Sequence, residues 1–447
     1  MNLRRMVPAL LLVGLGACDD GILDLRPVDG IDNDLAIVDA ASAEAALVGA
    51  YSSLQGGGLY GEVLVMLSET MTDNVEHTGT FATYADADLN EVTSDNGDIG
   101  SMWNAAYNGI YRLNLILVKV PTLDNIPSGE SDRILGESYA LRALHYHNLV
   151  RAFGGVPLVL EPFASIEEAS NISRAAVPDV YTQILADLAT AESLLDAAGQ
   201  SNDPSGGRTR VTPGFVDALR ARVALYQSDW AQAETSARAV IATGDYDLAP
   251  DYADLFDANG AATSEDIFRV GFTSSDANSL GFYYRFAGRF EIGATQEIFD
   301  AYPAGDERFD VTFEDVRSDG IEVAKFPTTE GAEHPHVIRY AEVLLILAEA
   351  LAQQGGAAQL VEAVDHLNDL RTRAGLTPVA YGTQPAVLSA IQQERRLELA
   401  FEGDRWFDLV RSGRALSEVP GLEDYQQLWP IPLTELDVAN LAQNPGY

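Results

Sequence analysis

The sequence predicts a mainly α protein, a single helical-repeat body with a loop-rich insertion and a few short strands. Three observations carry this. Apolar residues recur at spacings of three and four along segment after segment, which marks helices with one buried stripe. Two of those segments are joined by so short a turn that they must fold back antiparallel. Between Asp257 and Ile338 the helical period largely fails, and such a stretch inside a helical protein reads as functional loops. With 447 residues, length alone would suggest about three domains at roughly 150 residues each, yet no linker interrupts the helical theme.

Ala45, Ala46, Ala50, Tyr51 and Leu54 form the stripe of a first helix that begins near Ala41 and ends at Gly56-Gly57-Gly58. A polar stretch rich in Thr, Asp and Gly follows from Thr72 to Gly100. Helices are predicted from about Trp103 to Val118 and from about Asp132 to Phe153, the second apolar over much of its circumference and stopped by Gly154-Gly155 and Pro157. Val156 to Leu160 reads as extended. Thr212 is a good N-cap followed by Pro213, Asp229 caps the next helix with Gln232 in the capping-box position, and Gly244 lies just past its end. This hairpin, with Tyr226, Trp230 and Ala233, looks like a tetratricopeptide pair whose full pattern is incomplete. The theme returns from about Arg339 to Gln354 and from Ala357 to Arg373, with Gly355-Gly356 as the turn, and again from about Ala386 to Glu402. Within the insertion, Ile267 to Phe272 alternates enough for a strand, and Phe282, Tyr283, Tyr284 and Phe286 form an aromatic cluster.

Composition excludes whole classes of partner. Asp and Glu number 67 against 28 Lys and Arg, for a formal charge of -39, while 47% of residues are hydrophobic. The core can therefore be large, but DNA, RNA and anionic lipid surfaces would repel the chain. Lysine occurs only at Lys119 and Lys325, so lysine clusters that grip phosphate are absent. One cysteine excludes a disulfide framework and any multi-Cys zinc site.

That cysteine is informative by position. Arg4 and Arg5 precede an apolar run from Val7 to Leu15, which ends at Leu15-Gly16-Ala17-Cys18. This is a secretory signal over residues 1–17, too short to span a bilayer; an ordinary signal peptide that happens to contain a cysteine is the alternative to a lipidated one. Removing residues 1–17 takes two arginines and no acid, which moves the charge from -39 to -41. Residues 18–34, with six aspartates, Gly21, Pro27 and Gly30, read as a tether, and 35–447 as one domain with its insertion at about 257–338.

Catalytic and metal motifs are weak. Glu394 and Glu402 would lie ~12 Å apart on a helix and neighbouring pairs with Glu398 ~6 Å apart, so spacing does not exclude a glycosidase pair among the neighbours. Arg395, Arg396, Arg405 and Arg411 stand close by, however, and i, i+3 pairs such as Glu402 with Arg405 and Asp408 with Arg411 would keep the acids ionised. Structural ion pairing is the preferred reading, and no enzyme is expected. Trp406 and Phe407 read as core. His145 and His147 point some 200° apart on a helix and cannot share a metal, and His334-Pro335-His336 has no further ligand in view. Asp95 to Asp98 and Asp254 to Asp257 could take calcium, but neither matches an EF-hand loop, so no cofactor is expected. No Walker A loop, dinucleotide fingerprint or usable Ser/His/Asp order is present.

Several blocks, in order, resemble the SusD/RagB family of nutrient-binding outer-membrane lipoproteins. They are the small-small-Cys ending at Cys18 with Ile22-Leu23-Asp24 and Pro27; Ala50-Tyr51; Trp103 to Asn114; Leu141 to Val159; Asp229 to Phe256; Arg339 to Leu351; Leu367 to Leu376; Glu394 to Gly413, the most specific; and Leu428 to Tyr447. The resemblance spans nearly the whole chain after the signal. It implies a tetratricopeptide-like scaffold with irregular ligand-facing loops on one side, lipidation of Cys18, and an outer-membrane location facing the cell exterior. It also implies capture of oligosaccharides, or peptides in some members, for a SusC-like TonB-dependent transporter. A periplasm-facing tetratricopeptide scaffold lipoprotein is the alternative.

Sugar binding calls for exposed aromatic faces beside Asp, Asn, Arg or Gln. Two non-helical regions supply both: Tyr60, Asp73, Asn74, Phe81 and Tyr84 in one, and Asn278, Phe282, Tyr283, Tyr284 and Arg285 in the other. These ten are the candidate ligand-binding residues.

Overall fold

A computed structural model describes residues 36–203, 206–439 and 441–447. The signal segment, Cys18 and the tether lie outside the described residues.

The body is a succession of antiparallel helices: α1 (Ala40–Leu54), α2 (Val63–Thr70), α3 (Ala82–Asp88), α4 (Gly97–Lys119), α5 (Ser128–Phe153), α6 (Val177–Ala197), α7 (Pro213–Tyr226) and α8 (Trp230–Thr243). After the insertion, which contains the short α9 (Leu280–Tyr284), come α10 (Tyr340–Gln354), α11 (Ala357–Arg373), α12 (Gln384–Glu398) and α13 (Arg405–Arg411). Helix α5 packs on α4 and α6, α7 on α8, α8 on α10, and α10 on α11 and α12. Each helix covers the stripe of its neighbour, and one continuous core results. This is the tetratricopeptide-like scaffold, mainly α with few strands, that the periodicity predicts.

Local chemistry explains the boundaries. Thr212 Oγ1 accepts a hydrogen bond from Phe215 N, and Asp229 Oδ1 accepts one from Gln232 N. The Gln232 side chain donates to Ser236 Oγ instead of returning to residue 229, so the expected capping box is only half formed. Gly244 and Gly355 end α8 and α10 in the left-handed region, at φ +68° and +74°. Helix α12 stops at Glu398, four residues earlier than its pattern suggests, because Phe401 and Gly403 turn left-handed at φ +66° and +81°.

Helices α2, α3, α6, α9 and α13 lie outside the periodic segments, so the two regions expected to be non-helical, around Tyr84 and around Tyr283, are partly helical. Every residue of α2 is buried, so it has no polar face to alternate with. Val156 to Leu160 forms no strand, although the Val159 amide and carbonyl both bond to the Tyr146 hydroxyl.

The insertion is more ordered than its sequence suggests. Strands β1 (Val75–His77), β3 (Ile292–Ala294), β4 (Phe313–Arg317) and β5 (Gly320–Val323) form an antiparallel sheet in the order β1-β3-β5-β4. Strands β2 (Asp266–Arg269) and β6 (His336–Arg339) form a second antiparallel pair. Pairing of β1 with β3, Val75 opposite Ala294, joins the polar stretch before α3 to the insertion.

Candidate functional site

The β1–β3 pairing brings the two predicted aromatic regions together. Phe81, which precedes α3, lies with its ring centroid 5.7 Å from that of Tyr283 in α9, and Tyr283 is 5.3 Å from Phe282. Phe282 is 41% exposed and Phe81 and Tyr283 are half-buried. The guanidinium of Arg289 sits 3.8 Å above the Phe81 ring, a cation–π contact that fixes both.

Glu291 in the strand region holds this surface in shape. It is buried, and its carboxylate accepts from the amides of Thr80 and Phe81 and from Arg289 Nε at 2.7 Å. Its main-chain oxygen accepts from the amides of Thr78 and Gly79, both at 3.0 Å. Burial opposes its charge, but the Phe81 amide and Arg289 hold its pKa below the usual carboxylate value. A Cβ on Gly79 would come within 2.4 Å of Glu291 Cδ, so only glycine lets the loop lie this close.

Two further acids border the patch. Tyr84 donates to Glu62 Oε1 at 3.1 Å, and the pKa of Glu62 is raised by burial and by nearby Asp98. Burial raises Asp98 as well, and both acids push up the Tyr283 hydroxyl, whose shift is led by burial. The result is a partly exposed aromatic surface with carboxylates and one arginine at its rim, suited to stacking on an apolar ring face while bonding to hydroxyls. Arg289, Glu291 and Glu62 were not among the sequence candidates, and Asp98 was named only within the acidic turn that could take calcium. Nothing local marks them, because their relevance comes from the pairing of β1 with β3.

The remaining candidates are buried or already paired, Tyr84 beneath the patch itself. Tyr60 is buried and accepts from Asn148 Nδ2 at 3.3 Å. Asp73 is buried and takes two bonds from Arg405, at 2.8 and 2.7 Å. Asn74 donates to Glu69 and accepts from Arg396. Asn278 donates to the carbonyls of Gly331 and Glu333, stapling the insertion. Tyr84 and Tyr284 are enclosed, Tyr284 stacked on Phe326 at 5.8 Å. Arg285 is occupied by Glu314 and by Glu322, the latter at 3.3 Å. Of the ten, the structure leaves Phe282 exposed and Phe81 and Tyr283 partly exposed, one face of the Phe81 ring being covered by Arg289.

The Glu394–Gly413 block is a buried ion-pair lattice. Glu398 receives Arg339 at 2.6 Å, Arg373 at 2.5 Å and Arg308 at 2.8 Å. Glu394 pairs with Arg308 at 2.7 Å and Arg371 at 2.9 Å. Burial penalises the charge of Glu402, but Arg339 and Lys325 overcome it and bring the pKa down to about 2, the opposite of what an acid catalyst needs. The expected Asp408–Arg411 pair forms. Glu402 pairs with Arg339 and Lys325 rather than Arg405, which reaches Asp73 and Glu418 instead, since the chain has left the helix before position 402. Trp406 and Phe407 are core. Two interior cavities beside the lattice measure about 20 and 30 Å³, room for a water or two and not for a sugar.

Among the described residues, no group of three or more His, Cys, Asp or Glu is placed to hold a metal ion. Likewise, no helix among them is long and apolar enough to cross a membrane.

Comparisons with known proteins agree with one another. Residues 32–224 match a family model described as starch-binding associating with outer membrane, and residues 316–427 match the SusD family model. SusD-like protein P2 of Formosa agariphila is 28% identical over an alignment covering 100% of both chains, and SusD-like protein P38 of the same organism is 26% identical over 98% of each. Among solved structures, a laminarin binding SusD-like protein is 27% identical and superposes with a TM-score of 0.79 over 92% of this chain and 100% of its own. A SusD superfamily protein from Parabacteroides distasonis is 26% identical, with a TM-score of 0.78 over 91% and 99% of the two chains. With family models matching both its N-terminal helices and its C-terminal ion-pair block, and relatives aligned along its full length, this chain is similar to SusD-family proteins from end to end.

Proposed function

We propose that this protein is a cell-surface, lipid-anchored binding protein. It captures neutral oligosaccharides on the Phe81, Phe282 and Tyr283 patch and passes them, chemically unchanged, to a SusC-like TonB-dependent transporter. The observation that carries the reading is the exposed aromatic surface with acids and Arg289 at its rim, held rigid by Glu291. Support also comes from the name of the laminarin-binding relative and from the starch-binding, outer-membrane description of the matched family.

Affinity comes from stacking of pyranose C–H faces on the rings and from hydroxyl bonds to Glu62, Asp98 and Arg289. A net charge of -39 disfavours polyanionic glycans. Attachment through Cys18 leaves the domain free to meet its transporter, and stable anchoring takes more than one acyl chain. Binding of this kind calls for no cofactor, so chelation with EDTA is expected to leave affinity unchanged.

Affinity electrophoresis through gels containing laminarin, starch, xylan or mannan tests the reading, with reducing-sugar release assayed on the same protein. Retardation by at least one neutral polysaccharide without sugar release is expected. Free migration in every gel, or release that is abolished in Glu62→Gln, would overturn it.

A further inference from the structure

A second cleft lies at the other end of helix α3, away from the aromatic patch. It is an open cleft of about 550 Å³ between residues 89–94 on one side and residues 421–426 with 446–447 on the other, within the size range of sites that hold small ligands. Its lining joins two tyrosines, Tyr425 and Tyr447, to Glu91, Thr93, Ser94 and Glu423.

The cleft is built before any ligand arrives. Tyr425 and Tyr447 meet edge to face with centroids 5.0 Å apart, and the Tyr447 hydroxyl donates to the Leu428 carbonyl at 2.8 Å. Gly446 makes this possible: its φ is +107°, and a Cβ there would strike the Tyr425 ring at 2.4 Å. Gln426 Nε2 donates to the Asn90 carbonyl at 2.5 Å, and Leu433 N donates to the Ser94 carbonyl at 2.8 Å, so the two walls are tied to each other. Asn444 anchors the same segment to the body by donating to the carbonyls of Phe153 and Trp429. A rigid cleft loses little entropy when a ligand enters.

The chemistry of the lining selects the ligand class. Aromatic rings beside hydroxyls and carboxylates suit a polyhydroxylated ring with apolar faces. Glu91 and Glu423 repel sulfated or uronic sugars, and no basic residue among the described ones lines the cleft. Helix α3 has seven residues, so Phe81 at one end and Leu89 at the other are separated by about 10–12 Å, a distance one short oligosaccharide can cover.

We propose that the cleft around Tyr425 and Tyr447 is a second neutral-carbohydrate subsite, which extends the Phe81–Tyr283 patch to longer chains. This rests on the oligosaccharide reading above. The test is isothermal titration with disaccharides and hexasaccharides of the β-1,3-glucan, α-1,4-glucan, xylan and mannan series. It compares wild type with Tyr425→Ala, with Glu91→Trp, which blocks the cleft from an exposed position, and with Phe282→Ala on the patch. For a hexasaccharide that the wild type binds, both cleft variants are expected to lose at least fivefold in affinity. For the matching disaccharide, Phe282→Ala weakens binding while Glu91→Trp leaves it within twofold. Hexasaccharide affinities within twofold of wild type in both cleft variants, with Phe282→Ala impaired, would overturn the subsite alone. A wild type that binds no saccharide in the panel would remove the oligosaccharide reading and the subsite with it.

Discussion

Phe282 and Tyr284 stand two residues apart on the five-residue helix α9, about 200° around its axis, so one ring faces solvent and the other is enclosed. Replacing them should therefore have different effects. Phe282→Ala is expected to lower saccharide affinity about tenfold, ~1.4 kcal/mol, with an unchanged denaturation midpoint. Tyr284→Ala should cost roughly 3–5 kcal/mol of stability, read from urea unfolding. Gly79→Val belongs to the same scale: its side chain would collide with Glu291, so it should impair binding by displacing the Phe81 loop while the helical body stays folded, as measured by titration beside circular dichroism. The aromatic clusters were legible in the sequence as composition. Which rings face outward was not, because neither cluster shows a clear period and the short helix α9 was not anticipated. Asp73, Asn74 and Asn278 looked like ligand groups for the same reason that they serve as staples: their polar atoms are satisfied by chain segments distant in sequence.

Helices with a polar face and a cap announce themselves, and buried or short elements do not. The α7–α8 hairpin was readable to within a residue or two because Thr212, Pro213, Asp229 and Gly244 punctuate it. Thr212→Ala should cost about 1 kcal/mol through loss of the cap to Phe215, measured by chemical denaturation. Strands β1 and β3 have three residues each, too few to show alternation, yet their pairing is what assembles the candidate site. Helix α12 was read too long because Glu398 to Glu402 keeps an apolar rhythm. The left-handed turn at Phe401 and Gly403 ends it and directs Glu402 toward Arg339 and Lys325.

Across the whole molecule, charge is organised by burial. The surface excess gives the chain its -39, while the interior holds a lattice in which arginines and acids neutralise one another. Removing one partner leaves a buried charge unpaired, so Arg339→Ala should destabilise by about 3–5 kcal/mol. The lattice also sets the acid limit. Glu402 and Asp408 are held at about 2, burial being outweighed by Arg339 and Lys325 for Glu402 and by Arg411 and Arg395 for Asp408. Unfolded, these groups titrate near 4.5 and 3.8, so their stabilisation is complete above those values and is lost as pH falls toward 2. Glu69 has the opposite sign. Burial raises it to about 7 against bonds from Asn74 and Gly403, so stability falls as pH rises from 4.5 to 7, and Glu69→Gln should flatten that slope. Denaturation midpoints measured from pH 2 to 8 should therefore peak near pH 5. The lattice was visible in the sequence as a run of Glu and Arg and rightly read as ion pairing. Its partners were not, since Glu265, Arg308 and Arg339 come from elements far away along the chain.

The proposed function requires the Phe81, Phe282 and Tyr283 surface to capture neutral saccharide without changing it. Isothermal titration of wild type and Phe282→Ala, against the neutral oligosaccharide panel and against a mixed peptide library, addresses it most directly. Saturable saccharide binding that weakens about tenfold in Phe282→Ala, with no heat from the peptides, is the predicted result. Tight peptide binding without any saccharide binding would contradict it.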